Sequence, residues 1–308
     1  MRTVALGLPV AVVDVAEALN GDWRAHRHSV DVVRVQDPPP LLWDSLAAAG
    51  FRPKPQVVTW RAATASDEEQ FLSGLARKDK QNIRIARRRA RADGLTITVR
   101  PVDAGLMDAF LPLYEAQVAR MVHGWSVATE HRDRVLAEAD DYFAVCAWDG
   151  DILVGASINQ QSRERDEVRA RFSAVVADQR QASLTRVLYL EVVREARERG
   201  FAMVSLGSDP NLYGHLVKPG LFSFKSRLGF VPVPSHLVDP DSGSDQADRV
   251  VGFDAITDPS FVLSYAQGVR GPSLALDLYT TKPGIDLRPY TVDHLADVRV
   301  HQLEGDRP

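Results

Sequence analysis

Cysteine is almost missing from this chain: Cys146 is the only one in 308 residues, which excludes an internal disulfide framework and any metal site built from clustered thiolates. Long apolar runs are missing as well, and nothing approaches the roughly 20 consecutive apolar residues that a membrane-spanning helix needs. The opening MRTVALGLPVAVVDVAEALNGD sets one Arg before an apolar stretch in the manner of a signal peptide. Asp14 and Glu17 interrupt it early, however, and no small-residue cleavage site follows. A cytoplasmic protein with no membrane partner is the expectation. Neither charge sign dominates. The formal net charge of −4 carries no global nucleic-acid signature, so any anion-binding surface must be local. No His/Asp/Glu spacing points to a metal, and neither a Gly-x-Ser-x-Gly elbow nor a kinase-type glycine loop occurs.

What is present is an ordinary globular composition, 45% hydrophobic, on a length that suits two compact domains with shared elements. The pattern predicts a strand over residues 29–36, a short helix over 41–49 stopped by Gly50, and a strand over 56–61. From Leu95 the chain becomes α/β. Strands are expected over 95–102, 142–148, 152–160, 167–176 and 201–207, with the Asp149-Gly150 pair turning the central hairpin. Helices are expected over 106–120, 132–139, 184–199 and 221–228, separated by polar loops at 178–183 and 208–220. Cys146 falls in the apolar run 142–148, which reads as a buried strand. Beyond Pro234 the stretch DPDSGSDQAD reads as an exposed loop, 273–279 as a strand, and the final EGDRP as a frayed end.

One helix stands out. Residues 67–92 read as a single helix with Ser66 and Glu69 as a capping box. Leu72, Leu75, Ala76, Ile83, Ala86 and Ala90 fall on one arc, and Lys80, Arg84, Arg87, Arg88 and Arg91 on another. The basic arc is either a solvated surface or a track for a polyanion such as RNA or a nucleotide phosphate.

In order, residues 95–234 give strand, two helices, antiparallel strands, a long helix, a strand, a short helix and a strand. This resembles the GNAT acyltransferase fold, and within it the FemABX and BioF2-like branch. LARKDKQNIRIARRRARADGLTITV (75–99) is similar to the basic helix preceding that branch's catalytic lobe. MVSLGSDPNLYGHLVKPGLFSFKSRLGF (203–230) is similar to its strand, Gly-Ser turn, loop and Phe-Lys helix. An internal echo, LLWDSLAAAGFRPKPQVVTW (41–60) against GLFSFKSRLGFVPVP (220–234), fits the tandem lobes that the resemblance implies. The implied fold is α/β (α+β): a GNAT-like mixed sheet flanked by helices, in tandem lobes of which the N-terminal one is degenerate. The expected boundaries are 1–94 for that lobe with its basic helix, 95–235 for the catalytic lobe and 236–308 for a C-terminal extension.

The resemblance also implies the chemistry: acyl or aminoacyl transfer from an activated donor to an amine of a small molecule or peptide, forming an amide. Lys225, in the Phe224-Lys225 pair, matches the position that lies by the reacting carbonyl, where a fixed ammonium stabilises the developing oxyanion. The plainer alternative is a surface lysine on an amphipathic helix. The loop 208–218 carries Ser208, Asp209, Asn211, Tyr213, His215 and Lys218; Tyr213 or His215 is a candidate proton acceptor or donor, and a turn-rich surface loop is the plainer alternative. Arg120, His123 and Trp125 follow the first helix, where the fold lines its acceptor cleft. The turn that grips coenzyme A pyrophosphate in ordinary GNAT enzymes is here 178–185, without glycine, leaving Gln179, Arg180, Ala182 and Ser183 to meet a phosphate. FemABX enzymes, which draw on aminoacyl-tRNA, have likewise lost that glycine pattern. No tightly bound cofactor is implied: acyl-CoA or aminoacyl-tRNA enters as a donor substrate, tRNA meeting Lys80, Arg84, Arg87 and Arg91. A GNAT-fold module that binds a ligand or protein without turnover is the competing class.

Overall fold

The computed structural model describes residues 2–5, 7–181 and 183–303. The chain opens with a hairpin of β1 (Arg2–Ala5) and β2 (Leu8–Val13), then α1 (Val15–Asn20). Asp14 caps α1 by accepting the Glu17 N–H at 2.8 Å, and Glu17 returns the bond at 2.9 Å. Next come β3 (Val32–Gln36), α2 (Trp43–Ala48), β4 (Arg52–Pro55) and β5 (Val57–Ala63).

The long helix expected over 67–92 is two helices, α3 (Glu68–Ser73) and α4 (Arg77–Ala92). Gly74 ends the first, and Leu75 turns inward between them to pack with Ile83 and Leu190. Ala76, expected on the apolar arc, is instead exposed at the start of α4. Asp67, not Ser66, caps α3: its carboxylate is the stronger acceptor and takes the Gln70 N–H at 2.8 Å, while the Ser66 hydroxyl bonds the Gln70 side chain.

Then follow β6 (Thr96–Pro101), α5 (Ala104–Val118), α6 (Val127–Glu130), α7 (Arg132–Ala137), β7 (Tyr142–Asp149), β8 (Ile152–Ser162) and β9 (Glu167–Val175). One helical turn, α8 (Ala177–Gln181), stands where a polar loop was expected; it holds neither Gly nor Pro to break it. The chain continues through α9 (Leu184–Glu198), β10 (Met203–Pro210), α10 (Pro219–Ser226) and β11 (Val231–Pro234). It closes with β12 (Asp245–Val250), β13 (Ser260–Tyr265), β14 (Leu274–Thr280) and β15 (Val298–Gln302). The final EGDRP lies outside the described residues.

These elements form two compact units whose division falls inside β5 and β10. The first takes residues 1–60, 208–226 and 231–308; the second takes 61–207 and 227–230. The contiguous blocks 1–94, 95–235 and 236–308 do not coincide with them, because the C-terminal strands belong with the N-terminal ones.

The second unit is a sheet in the order β10-β9-β8-β7-β6, antiparallel except where β10 runs parallel to β9. Strand alternation sends Ala144, Cys146, Ala156 and Ile158 to the face that packs on α5, through Leu106, Met107 and Phe110. Gly155 points to the other face, towards Leu184 of α9. Cys146 is an inert core residue, its thiol pushed up to about 12 by burial.

The first unit holds a sheet in the order β1-β2-β3-β12-β4 and a second, β13-β14-β15. Here the expected exposed loop is corrected. Its last four residues begin β12, which pairs with β3 on one side and β4 on the other. Asp248 is fully buried, gripped by both Arg34 nitrogens at 2.7 Å and by Lys54 at 3.2 Å. Burial opposes the Asp248 charge, yet Arg34 and Lys54 hold its carboxyl below the usual range; burial pushes Lys54 down to about 8. A charge with two buried partners sits inside a sheet, where composition alone reads as loop.

The internal echo has matching backbones. Gly50 after α2 (φ +85°) and Gly229 after α10 (φ +87°) both take the left-handed conformation that lets a helix end abruptly. The phenylalanine after each, Phe51 or Phe230, is buried.

Candidate active site

The chain leaves β10 through Asp209 and re-enters helix at α10, and the loop between is fixed by Asn211. Its amide donates to the carbonyls of Pro55 (2.8 Å) and Leu263 (2.7 Å) and accepts the Leu263 N–H (2.8 Å). All of the side chain's principal valences are thus spent on backbone, so Asn211 is a clamp.

What the clamp positions is a buried ion pair. Lys225 of α10 is 6% exposed, and its Nζ donates to Asp209 Oδ1 at 2.8 Å. Asp209 Oδ2 accepts the Trp60 indole N–H at 2.7 Å and lies 3.5 Å from the Tyr213 hydroxyl, a long contact. The ammonium also stands 5.7 Å from the centre of the Trp60 ring. Rings wall this group. Tyr213 stacks on Phe261 at 4.6 Å, and Phe222 meets Trp60, Tyr213 and Phe261 edge-on. Burial, then the Asp209 charge, raises the Tyr213 hydroxyl far above its ordinary value. It therefore keeps its proton at neutral pH and is no proton acceptor there.

Asp209, Tyr213 and Lys225 are thus brought together. The other loop candidates part from them. His215 turns its Nδ1 to the Ala255 carbonyl at 3.2 Å, a structural contact. Ser208 is exposed and joins a hydroxyl chain through Thr59 (2.9 Å) to Ser235 (2.7 Å). Phe224 is half-buried.

The remaining candidates lie in the second unit. Arg120, His123 and Trp125 are exposed between α5 and α6, the Trp125 indole donating to Glu130. Gln179 donates to Asp93 at 3.3 Å, while its buried Oε1 has no partner among the described residues. Ser183 precedes α9 at φ +68° without a side-chain cap bond. Ala182 and the Arg180 side chain lie outside the described residues. On α4, Arg87 grips Glu68 through two nitrogens (2.5 and 2.8 Å) and Lys80 donates to the Ser73 carbonyl at 3.1 Å. Arg84, Arg88 and Arg91 are exposed and line, with Gln81 and Arg87, a depression of about 390 Å³.

In the same unit β10 pairs with β9 over three residues, Met203–Ser205 against Glu167–Arg169, and β9 pairs with β8 from Glu167 to Val175. Ser173 of β9 bonds the Tyr189 hydroxyl of α9 at 2.7 Å. Residues 77–214 match the family model of the acetyltransferase (GNAT) domain. That segment of the chain is similar to a GNAT domain. Asp209 and Tyr213 fall inside the matched segment and Lys225 just beyond it.

Solved structures similar to the whole chain are remote in sequence. FemX aligns at 12% identity and TM-score 0.48, over 79% of this chain and 81% of its own. The C-terminal domain of a putative lysylphosphatidylglycerol synthetase from Agrobacterium fabrum aligns at 16% and 0.44, over 83% and 80%. L-PGS from Bacillus licheniformis aligns at 11% and 0.42, over 78% and 77%. No curated protein matches the chain. Among the described residues, no group of His, Cys, Asp and Glu is arranged to hold a metal ion, and no helix is long and apolar enough to cross a membrane.

Sequence reasoning singled out Lys225 and Asp209 and named Asn211 in the same loop, but missed Trp60, Phe222 and Phe261. Trp60 ends an apolar strand run and reads as core. Only the fold shows that its indole N–H holds the carboxylate.

Proposed function

We propose that this protein is a FemABX-like acyltransferase that forms an amide between an activated acyl group and an amine, with Lys225 as the group that stabilises the oxyanion. The observation that carries this reading is the buried Lys225–Asp209 pair under Trp60. Two charges taken out of water are costly to keep, and a surface lysine on an amphipathic helix would not be held this way. The N-terminal echo sharpens the contrast. Four residues before Gly50 stands Leu46, fully buried; four before Gly229 stands Lys225. The same local solution needs no charge to fold, so the charge at the second copy has another use.

In the proposed reaction the neutral amine attacks the acyl carbonyl. The new N–C bond pushes an electron pair onto oxygen, and a cation fixed by a carboxylate in a ring-walled site stabilises that oxyanion without reorganisation. Collapse breaks the bond to the ribose oxygen or thioester sulfur, and the proton lost by the amine ends on that leaving atom.

Exposed Arg84, Arg88 and Arg91 on α4, without a carboxylate partner among the described residues, support aminoacyl-tRNA as the donor, since such arginines suit phosphate oxygens. Acyl-CoA is the second reading, favoured by the N-terminus of the 15-residue α9. The test incubates the protein with aminoacyl-tRNA or acyl-CoA and a panel of amines, with amide product read by mass spectrometry. Product with one donor that disappears in Lys225→Ala supports the reading; no product with either donor leaves the ligand-binding module in its place.

A further inference from the structure

His294 lies on the connection between β14 and β15, in the C-terminal stretch to which sequence patterns assign no role. Its imidazole meets the Trp60 ring edge-on, centroids 6.4 Å apart and planes at 87°. Nε2 is buried and, among the described residues, has no hydrogen-bond partner. Native proteins rarely leave a polar atom in that condition, and where they do, a water, ion or ligand commonly completes it. Burial pushes the ring down to about 4 despite the nearby Asp293 carboxylate. At neutral pH it is therefore uncharged, with one nitrogen donating and the other accepting.

Its position separates it from the other unpartnered atoms of the first unit. The Ser226, Ser260 and Tyr279 hydroxyls and His236 Nε2 are also buried and, among the described residues, without partners; Tyr279 stacks on His301, and none of these four residues meets the Trp60 ring in a ring contact. His294 instead faces the one indole that holds Asp209 and lies under the Lys225 ammonium. The Trp60 ring thus meets both the ion pair and, at a centroid separation of 6.4 Å, an imidazole whose Nε2 has no partner among the described residues.

We propose that His294 contacts substrate, its imidazole accepting a hydrogen bond from an N–H of the acyl-accepting amine. This rests on the reading of Lys225 as part of an acyl-transfer site. An amine attacks only when its lone pair is free and aimed at the carbonyl. An uncharged acceptor that holds an N–H leaves that lone pair unengaged, whereas a carboxylate in the same place would favour the unreactive ammonium form. The ring orients the nucleophile, while the Lys225 ammonium is left to the carbonyl oxygen.

L-Alaninamide serves as the amine probe at about pH 8, where an α-amino group is about half neutral. Titration is followed by the ¹⁵N resonances of the histidine rings in the full-length protein. The expected result is a shift of the His294 Nε2 resonance in the wild type and affinity about tenfold weaker in His294→Phe, which keeps the ring and removes the acceptor. His294→Gln, which restores an acceptor, should recover part of the loss. The His294→Phe melting temperature should stay within about 2 °C of wild type, since the nitrogen bonds nothing in the unliganded protein. No shift at His294, or equal affinity in His294→Phe, overturns the proposal. If His294→Phe does not fold, the wild-type resonance and His294→Gln still decide it. Binding as expected without amide formation from either donor refutes the acyl-transfer reading and leaves the amine contact standing.

Discussion

Replacing Asp209 by Asn preserves the side chain's shape while removing the charge that faces Lys225 at 2.8 Å. The amide cannot satisfy its neighbours. Its single oxygen can face Lys225 or the Trp60 N–H, and in either orientation the NH₂ group points at the other donor. Deleting one partner of a buried ion pair costs about 3–5 kcal/mol. At about 2–4 °C per kcal/mol for a unit of this size, the melting temperature should fall by about 10 °C. Lys225→Met leaves the carboxylate with two donors still in place, so its loss should be the smaller. The double variant Asp209→Asn/Lys225→Met should recover at least about 2 kcal/mol relative to the sum of the single changes. Urea unfolding of the four proteins measures this, with the slope checked for constancy. An Asp209→Asn protein within about 1 kcal/mol of wild type, or single losses that merely add, would show that carboxylate and ammonium do not depend on one another.

Lys225→Ala should lower kcat by about 10²–10³-fold with little change in KM, as for a contact made in the transition state; steady-state kinetics with an unchanged kcat would remove Lys225 from the site. Neutralising Arg84, Arg88 and Arg91 should reduce the salt slope of tRNA binding by about one per lost phosphate contact, in filter binding across a salt series. A slope that does not change makes this face a solvated surface and leaves acyl-CoA as donor. Arg87→Ala should instead cost under about 1 kcal/mol, because its ion pair with Glu68 is partly exposed. The His294 imidazole is held at about 4 in the folded protein, below the roughly 6.5 of an unfolded chain. Its contribution is therefore complete above about pH 6.5 and lost as pH falls towards 4, by about 3 kcal/mol at most. Acid unfolding of His294→Phe should show a correspondingly shallower decline across that window, and identical curves would contradict the burial of this ring.

Local rules carried much of the fold. Glycine after a helix marked Gly50, Gly200 and Gly229, and each takes positive φ in the structure. The hairpin at Asp149-Gly150 and the strands on either side follow from alternation and turn chemistry alone. What local rules could not reach was decided by distant partners. β12 looks like a loop because Gln246 and Asp248 are polar, and only Arg34 and Lys54, far away in the chain, make their burial tolerable. The break at Gly74 is hidden inside a continuous helical pattern because Leu75 fits that arc equally well when turned into the core. At the site, Asp209 and Lys225 were legible as a polar loop and a Phe-Lys pair. The Trp60 bond to Asp209 spans 149 residues, and no periodicity in strand β5 announces it. His294 falls in a stretch without regular structure, where spacing carries no information about what a side chain meets.

The place of β12 has a consequence for the order in which the protein is made. Arg34 and Asp248 are 214 residues apart, and β12 lies between β3 and β4. A growing chain therefore has both flanking strands in solution, and the near-continuous run 61–207 of the second unit complete, before the strand that joins them exists. Until then β3 and β4 present unpaired amide and carbonyl edges, the usual seed of wrong pairing between nascent chains. The same interval finds Arg34, Arg52 and Lys54 solvated and positive on those edges, where like charges keep copies apart. When Asp248 arrives it neutralises Arg34 and Lys54 and closes the sheet in one step. A charge pair that is a buried oddity in the finished molecule acts, during synthesis, as a guard that its own partner dismisses.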